Sequence, residues 1–106
     1  MPYGLKQDTI DKIISVFAKY PQIKRVILYG SRAKGNYRNG SDIDLTIISN
    51  NISLQELHKI ENEIDDLLLP YKLDISIFKH IKNKNLIDHI SRVGQDFYLK
   101  EKIEAH

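Results

Sequence analysis

The sequence predicts the α/β class, as an α+β arrangement in which a small mixed three-stranded core sheet is flanked by helices. Three observations carry that expectation. The runs 25–29, 42–48 and 72–78 have the length, β-branching or alternation of strands. Segments with apolar residues at helical spacing lie before the first run, between the second and third, and after the third. A strand-helix-strand passage normally returns parallel and right-handed, which sets the second and third strands parallel in one sheet.

Each element has its own signal. Ile10, Ile13, Ile14 and Phe17 recur at helical spacing after a candidate N-cap at Asp8, and Pro21 closes that first helix. The first strand stops at Gly30, where the chain must turn sharply. In the second strand Ile43, Leu45 and Ile47 fill one face, and Asp42 and Asp44, two residues apart, project from the other. The second long helix opens on a capping box, Ser53 with Glu56, and on a hydrophobic staple, Ile52 with Leu57. Its buried stripe is read as Leu57, Ile60, Ile64, Leu67 and Leu68, and Pro70 ends it. In the third strand Leu73, Ile75 and Ile77 share one face, with Asp74 and Ser76 on the other. A buried, unpaired charge in a strand is costly, so Asp74 is expected to have a partner or a metal. The last helix is predicted over 83–102, with Leu86, Ile90, Val93 and Phe97 on one side and Gly94 weakening it by about 1 kcal/mol relative to alanine.

The chemistry concentrates between Gly30 and Asp44. Backbone N–H groups in a glycine-serine turn that opens a short helix form a donor surface suited to phosphate oxygens, and Ser31, Arg32 and Lys34 add a hydroxyl, a guanidinium and an amine. Asp42 and Asp44 supply the carboxylates that Mg²⁺ needs, and parallel pairing of the second and third strands brings Asp74 to the same end of the sheet. Each residue also has a plainer account. The aspartates could be solvated at the start of a strand, Ser31 could satisfy its own turn, Asp74 could pair with Arg or Lys, and Arg32 and Lys34 could be surface charges. Tyr37 lies in the intervening loop, either bordering a nucleotide or exposed. His58, His80 and His89 have no zinc-like spacing and are read as surface or packing residues. The basic run 79–84 is read as a solvated loop, with the edge of an acceptor site as the alternative.

Gly30-Ser31, ten residues, then Asp42-x-Asp44 resembles the G-S-x10-D-x-D signature of the polymerase-β-like nucleotidyltransferase superfamily. The Gly-Ser-Arg-Ala-x-Gly opening and the Ser41-Asp42-Ile43-Asp44-Leu45 close are similar to its minimal branch, the small MNT proteins that include MntA-type antitoxins encoded beside HEPN-domain toxins. The resemblance covers essentially the whole chain. It implies a nucleotidyltransferase fold and a Mg²⁺-dependent transfer of AMP from ATP to a hydroxyl, a tyrosine of a HEPN toxin partner. It also implies Asp42, Asp44 and Asp74 as catalytic metal ligands for two Mg²⁺ ions, and Gly30, Ser31, Arg32, Lys34 and Ser41 as the nucleotide-binding set. Two rivals stand beside that expectation: a nucleotide-binding antitoxin that acts by stoichiometric cover, and a transferase to a small molecule or RNA end completed by a partner subunit.

Composition narrows the alternatives. At 106 residues the chain is expected to be one domain, 1–106, without a second unit to hold a large acceptor. Lys and Arg number 16 against 14 Asp and Glu, which gives no strong field for extended nucleic acid. Cysteine is absent, which removes disulfides and thiolate metal sites. No signal peptide or membrane-spanning run is evident, so a cytoplasmic location is expected. Oligomeric state is left open.

Overall fold

The computed structural model describes residues 2–100. The elements run α1 (Gln7–Phe17), β1 (Ile23–Tyr29), α2 (Gly30–Lys34), β2 (Ile43–Ser49), α3 (Leu54–Asp65), β3 (Leu73–Ile77), α4 (Lys84–Val93) and β4 (Gln95–Leu99), with short 3-10 turns at Pro2–Gly4 and Phe78–His80. The sheet order is β3-β2-β1-β4. β1 is antiparallel to both β2 and β4, and β2 is parallel to β3, as the crossover through α3 requires.

Alternation along the strands gives the sheet two covered faces. On one, Ile10, Ile13 and Phe17 of α1 and Leu57, Ile60 and Ile64 of α3 pack on Val26, Leu28, Leu45, Ile47, Ile75 and Ile77. Each fully buried side chain of this size contributes about 2 kcal/mol relative to exposure. The Tyr20 hydroxyl, just beyond α1, donates to Glu63 of α3 at 2.7 Å. On the other face Ile90 of α4 packs with Ile27 and Tyr29, bordered by Ile48, Phe78 and Leu86. This second face carries the site.

Several sequence expectations change. The sheet has four strands, because the predicted last helix stops at Val93 and Gln95–Leu99 pairs with β1; the expected end of that helix near 102 is outside the described residues. Helix α1 begins at Gln7 with Lys6 in the cap position, so Asp8 lies inside its first turn. The capping box of α3 is present, with Ser53 and Glu56 each accepting from the other's backbone N–H. That helix ends at Asp65, well before Pro70, and Leu68 adopts φ +54 and is 88% exposed, so it leaves the buried stripe.

Candidate active site

Strand register assembles the site. Tyr29, the last residue of β1, is the antiparallel partner of Asp44, and Asp44 is the parallel partner of Asp74. Residues in register share a sheet face, so Asp44 and Asp74 stand on neighbouring strands of the face that α4 covers. Asp42 sits one residue before β2 and is exposed, as is Asp74, whereas Asp44 is half-buried. Burial, followed by the Asp74 and Asp42 charges, pushes the Asp44 carboxyl above the usual range. Burial and the same two strands' carboxylates also raise the Tyr29 phenol, against a hydrogen bond with Ser76 that lowers it.

The exposure of Asp74 corrects the argument that it must be buried and compensated: β3 is an edge strand, where a charge keeps its water. Among the described residues none of the three aspartates forms an ion pair with Lys or Arg. Nor do three His, Cys, Asp or Glu side chains converge there tightly enough to hold an ion on their own. A Mg²⁺ ion does not require that, since it binds through one or two carboxylates and fills its shell with water and substrate phosphate oxygens. The hard oxygens of Asp44 and Asp74, with Asp42 beside them, fit such an ion.

The turn from β1 into α2 faces these carboxylates. Gly30 has φ +76, and a Cβ built on it would press into Asp44 Oδ2, so both the backbone and the close approach require glycine. The first N–H groups of a helix have no intrahelical acceptor. That of Gly30 donates to His89 Nε2 at 3.0 Å, which leaves those of Ser31 and Arg32. The half-buried Ser31 hydroxyl has no hydrogen-bond partner among the described residues. Gly30→Val is therefore expected to cost about 2 kcal/mol of stability and to weaken a non-hydrolysable ATP analogue more than Ser31→Ala does. Thermal melts and calorimetry with Mg²⁺ check this, and equal affinity of wild type and Gly30→Val would place the phosphates elsewhere.

Arg32 does not point at the cradle. It is 2% exposed, its Nε donates to the Ser41 carbonyl at 3.0 Å and its Nη1 to the Tyr3 carbonyl at 2.8 Å. Its guanidinium carbon lies 5.2 Å from the Tyr37 ring centroid and 4.9 Å from that of Tyr71. The side chain is thus neither a surface charge nor an open phosphate contact. Tyr37 is engaged with it, and the Tyr37 ring also lies where a Cβ on Gly4 would sit. The Ser41 hydroxyl accepts from the Arg38 N–H at 2.8 Å, closing the turn that delivers Asp42. Lys34 is exposed in the last turn of α2. His58 and His80 are exposed, but His89 belongs to the site, a placement its sequence spacing does not signal. The basic run 79–84 follows the carboxyl end of β3, opposite the aspartates.

Comparison with known proteins bears on the family and the fold. The family described as polymerase beta, nucleotidyltransferase, matches residues 11–103. A Methanocaldococcus jannaschii protein named as a protein adenylyltransferase is 35% identical over 86 residues, covering 78% of this chain and 86% of that protein. Among solved structures, a toxin-antitoxin crystallised with AMP-PNP superposes with a TM-score of 0.70 at 16% identity, covering 91% of this chain and 77% of the other. A complex of tri-AMPylated Shewanella oneidensis HEPN toxin with its MNT antitoxin gives 0.66 at 14% identity, covering 95% and 78%. At such identities these structures establish a shared fold, while the sequence matches go further: the chain belongs to the polymerase beta nucleotidyltransferase family.

Proposed function

We propose that this nucleotidyltransferase moves AMP from ATP to a tyrosine hydroxyl on a HEPN-domain toxin, releasing pyrophosphate and silencing the partner. The observation that carries this is the register Tyr29–Asp44–Asp74, which sets the carboxylates and the Gly30-Ser31 turn at one end of the sheet. Asp42 and Asp44 would hold one Mg²⁺ and Asp74 would help hold a second. When bound, these ions supply charge neutralisation on the triphosphate and a lowered pKa for the attacking hydroxyl. The Ser31 hydroxyl and the free N–H groups at the start of α2 orient the β- and γ-phosphates, so that the α-phosphorus lies over the aspartates for in-line attack. Support for the acceptor comes from relatives: the M. jannaschii protein is named for protein adenylylation, and the S. oneidensis complex contains an AMPylated HEPN toxin. This protein would take the surface around the acceptor from its partner.

We place the protein in the cytoplasm; no helix among the described residues is long and apolar enough to cross a membrane. The test is catalytic turnover. A sub-stoichiometric amount of the protein with ATP and Mg²⁺ should inactivate an excess of a HEPN-type toxin, whose intact mass rises by whole adenylate units on tyrosine. Inhibition that follows stoichiometry, needs no ATP and leaves partner mass unchanged would replace this reading with that of a covering antitoxin.

A further inference from the structure

We infer that His89 is a positioning residue for the phosphate cradle, holding Gly30 and the start of α2 against the Asp44 carboxylate. This rests on the reading of that turn as the nucleotide's site. The imidazole reaches across from α4 to accept the Gly30 N–H on Nε2 at 3.0 Å, so the neutral ring carries its proton on Nδ1. The same ring meets Tyr29 edge-on, with centroids 6.2 Å apart and planes at 80°. It therefore grips both residues of the strand-to-helix junction, one through its edge and one through its lone pair.

The junction needs a restraint of this kind. Gly30 sits at φ +76 with its α-carbon against Asp44, and glycine has more backbone freedom than any other residue. Rotation there would move the start of α2 relative to the Asp44 carboxylate. Helix α4, in turn, is anchored independently of the site. At Gly94 a Cβ would meet Ile27 Cγ2 at 2.7 Å and would also press on the Ile90 carbonyl, so the helix end lies directly on β1. The next residue starts β4, which pairs with β1. His89 is thus carried by a helix whose position the sheet itself sets, and it transmits that position to the cradle through one hydrogen bond.

Two variants separate positioning from packing. His89→Phe keeps a ring against Tyr29 and removes the acceptor, whereas His89→Gln keeps an acceptor of similar reach and removes the ring. Binding of AMP-PNP with Mg²⁺ is measured by calorimetry, and the Gly30 amide proton is followed by NMR in the free proteins. His89→Phe is expected to bind the analogue roughly tenfold more weakly and His89→Gln within about threefold of wild type, the scale set by leaving a partly buried N–H without its acceptor. The Gly30 amide proton should shift upfield in His89→Phe and stay near its wild-type position in His89→Gln. A packing role predicts the reverse order of the two variants and would overturn the assignment. So would wild-type affinity in His89→Phe while the wild type itself binds. Absence of binding by the wild type would overturn the nucleotide reading and this assignment together.

Discussion

Replacing Asp42 and Asp44 together by asparagine is expected to lower nucleotide transfer by roughly three orders of magnitude, since a bound cation supplies several kcal/mol of transition-state stabilisation and each 1.4 kcal/mol is about tenfold in rate. The fold should survive, and the metal-free variant should melt higher than the wild type. Asp44 is pushed above the usual carboxylate range by burial and then by Asp74 and Asp42, so the folded protein holds that proton more tightly than the unfolded chain does. Such a group costs stability above its folded pKa, and the cost disappears as pH falls through that raised value. Wild-type protein should accordingly gain stability on mild acidification from neutral pH, before other carboxylates protonate, and the double variant should gain less. Transfer assayed with α-labelled ATP and melts across pH check both halves. Undiminished transfer by the variant would remove the aspartates from the mechanism, and a variant that melts lower would mean that the carboxylates stabilise the fold.

What the sequence made legible was whatever depends on near neighbours. The capping box of α3 joins residues three apart, and the placement of Ile43, Leu45 and Ile47 in the core with Asp44 between them on the other face needs only the two-residue period of a strand. The parallel return of β3 followed from one connection rule, and with it the approach of Asp74. The failures share one cause, which is dependence on what lies across space. Leu86, Ile90, Val93 and Phe97 keep helical phase through Gly94, and only the contact of Gly94 with Ile27 shows why the helix ends there and a strand begins. An alternating strand reads alike at the centre and at the edge of a sheet, so the exposure of Asp74 was not visible. His89 and Arg32 each act on residues far along the chain or on backbone carbonyls, and composition marks neither kind of partner.

Arg32→Met is expected to destabilise the protein by about 3 kcal/mol, a fall of roughly 15 °C in Tm for a chain of this size. The guanidinium is almost fully enclosed and has no carboxylate partner among the described residues; its compensation comes from the Tyr3 and Ser41 carbonyls and from the Tyr37 and Tyr71 rings. Methionine fills similar space but leaves two inward carbonyls without donors, and loss of charged hydrogen bonds outweighs the relief of no longer desolvating a cation. Lysine should not rescue. Its ammonium is a point charge that cannot lie flat between two rings while donating in two fixed directions, so Arg32→Lys should recover less than half of the lost stability. The functional consequence follows from what the clamp joins, because Ser41 immediately precedes Asp42 and Tyr71 lies three residues before Asp74. Loosening it frees both aspartate-bearing segments relative to α2, so transfer should fall in Arg32→Lys even at temperatures where that variant is folded. Melts, together with calorimetry using an ATP analogue and Mg²⁺, distinguish this from direct phosphate contact. A phosphate ligand would lose affinity with little change in Tm. That outcome would mean the guanidinium leaves its tyrosines when nucleotide binds and would return Arg32 to the cradle.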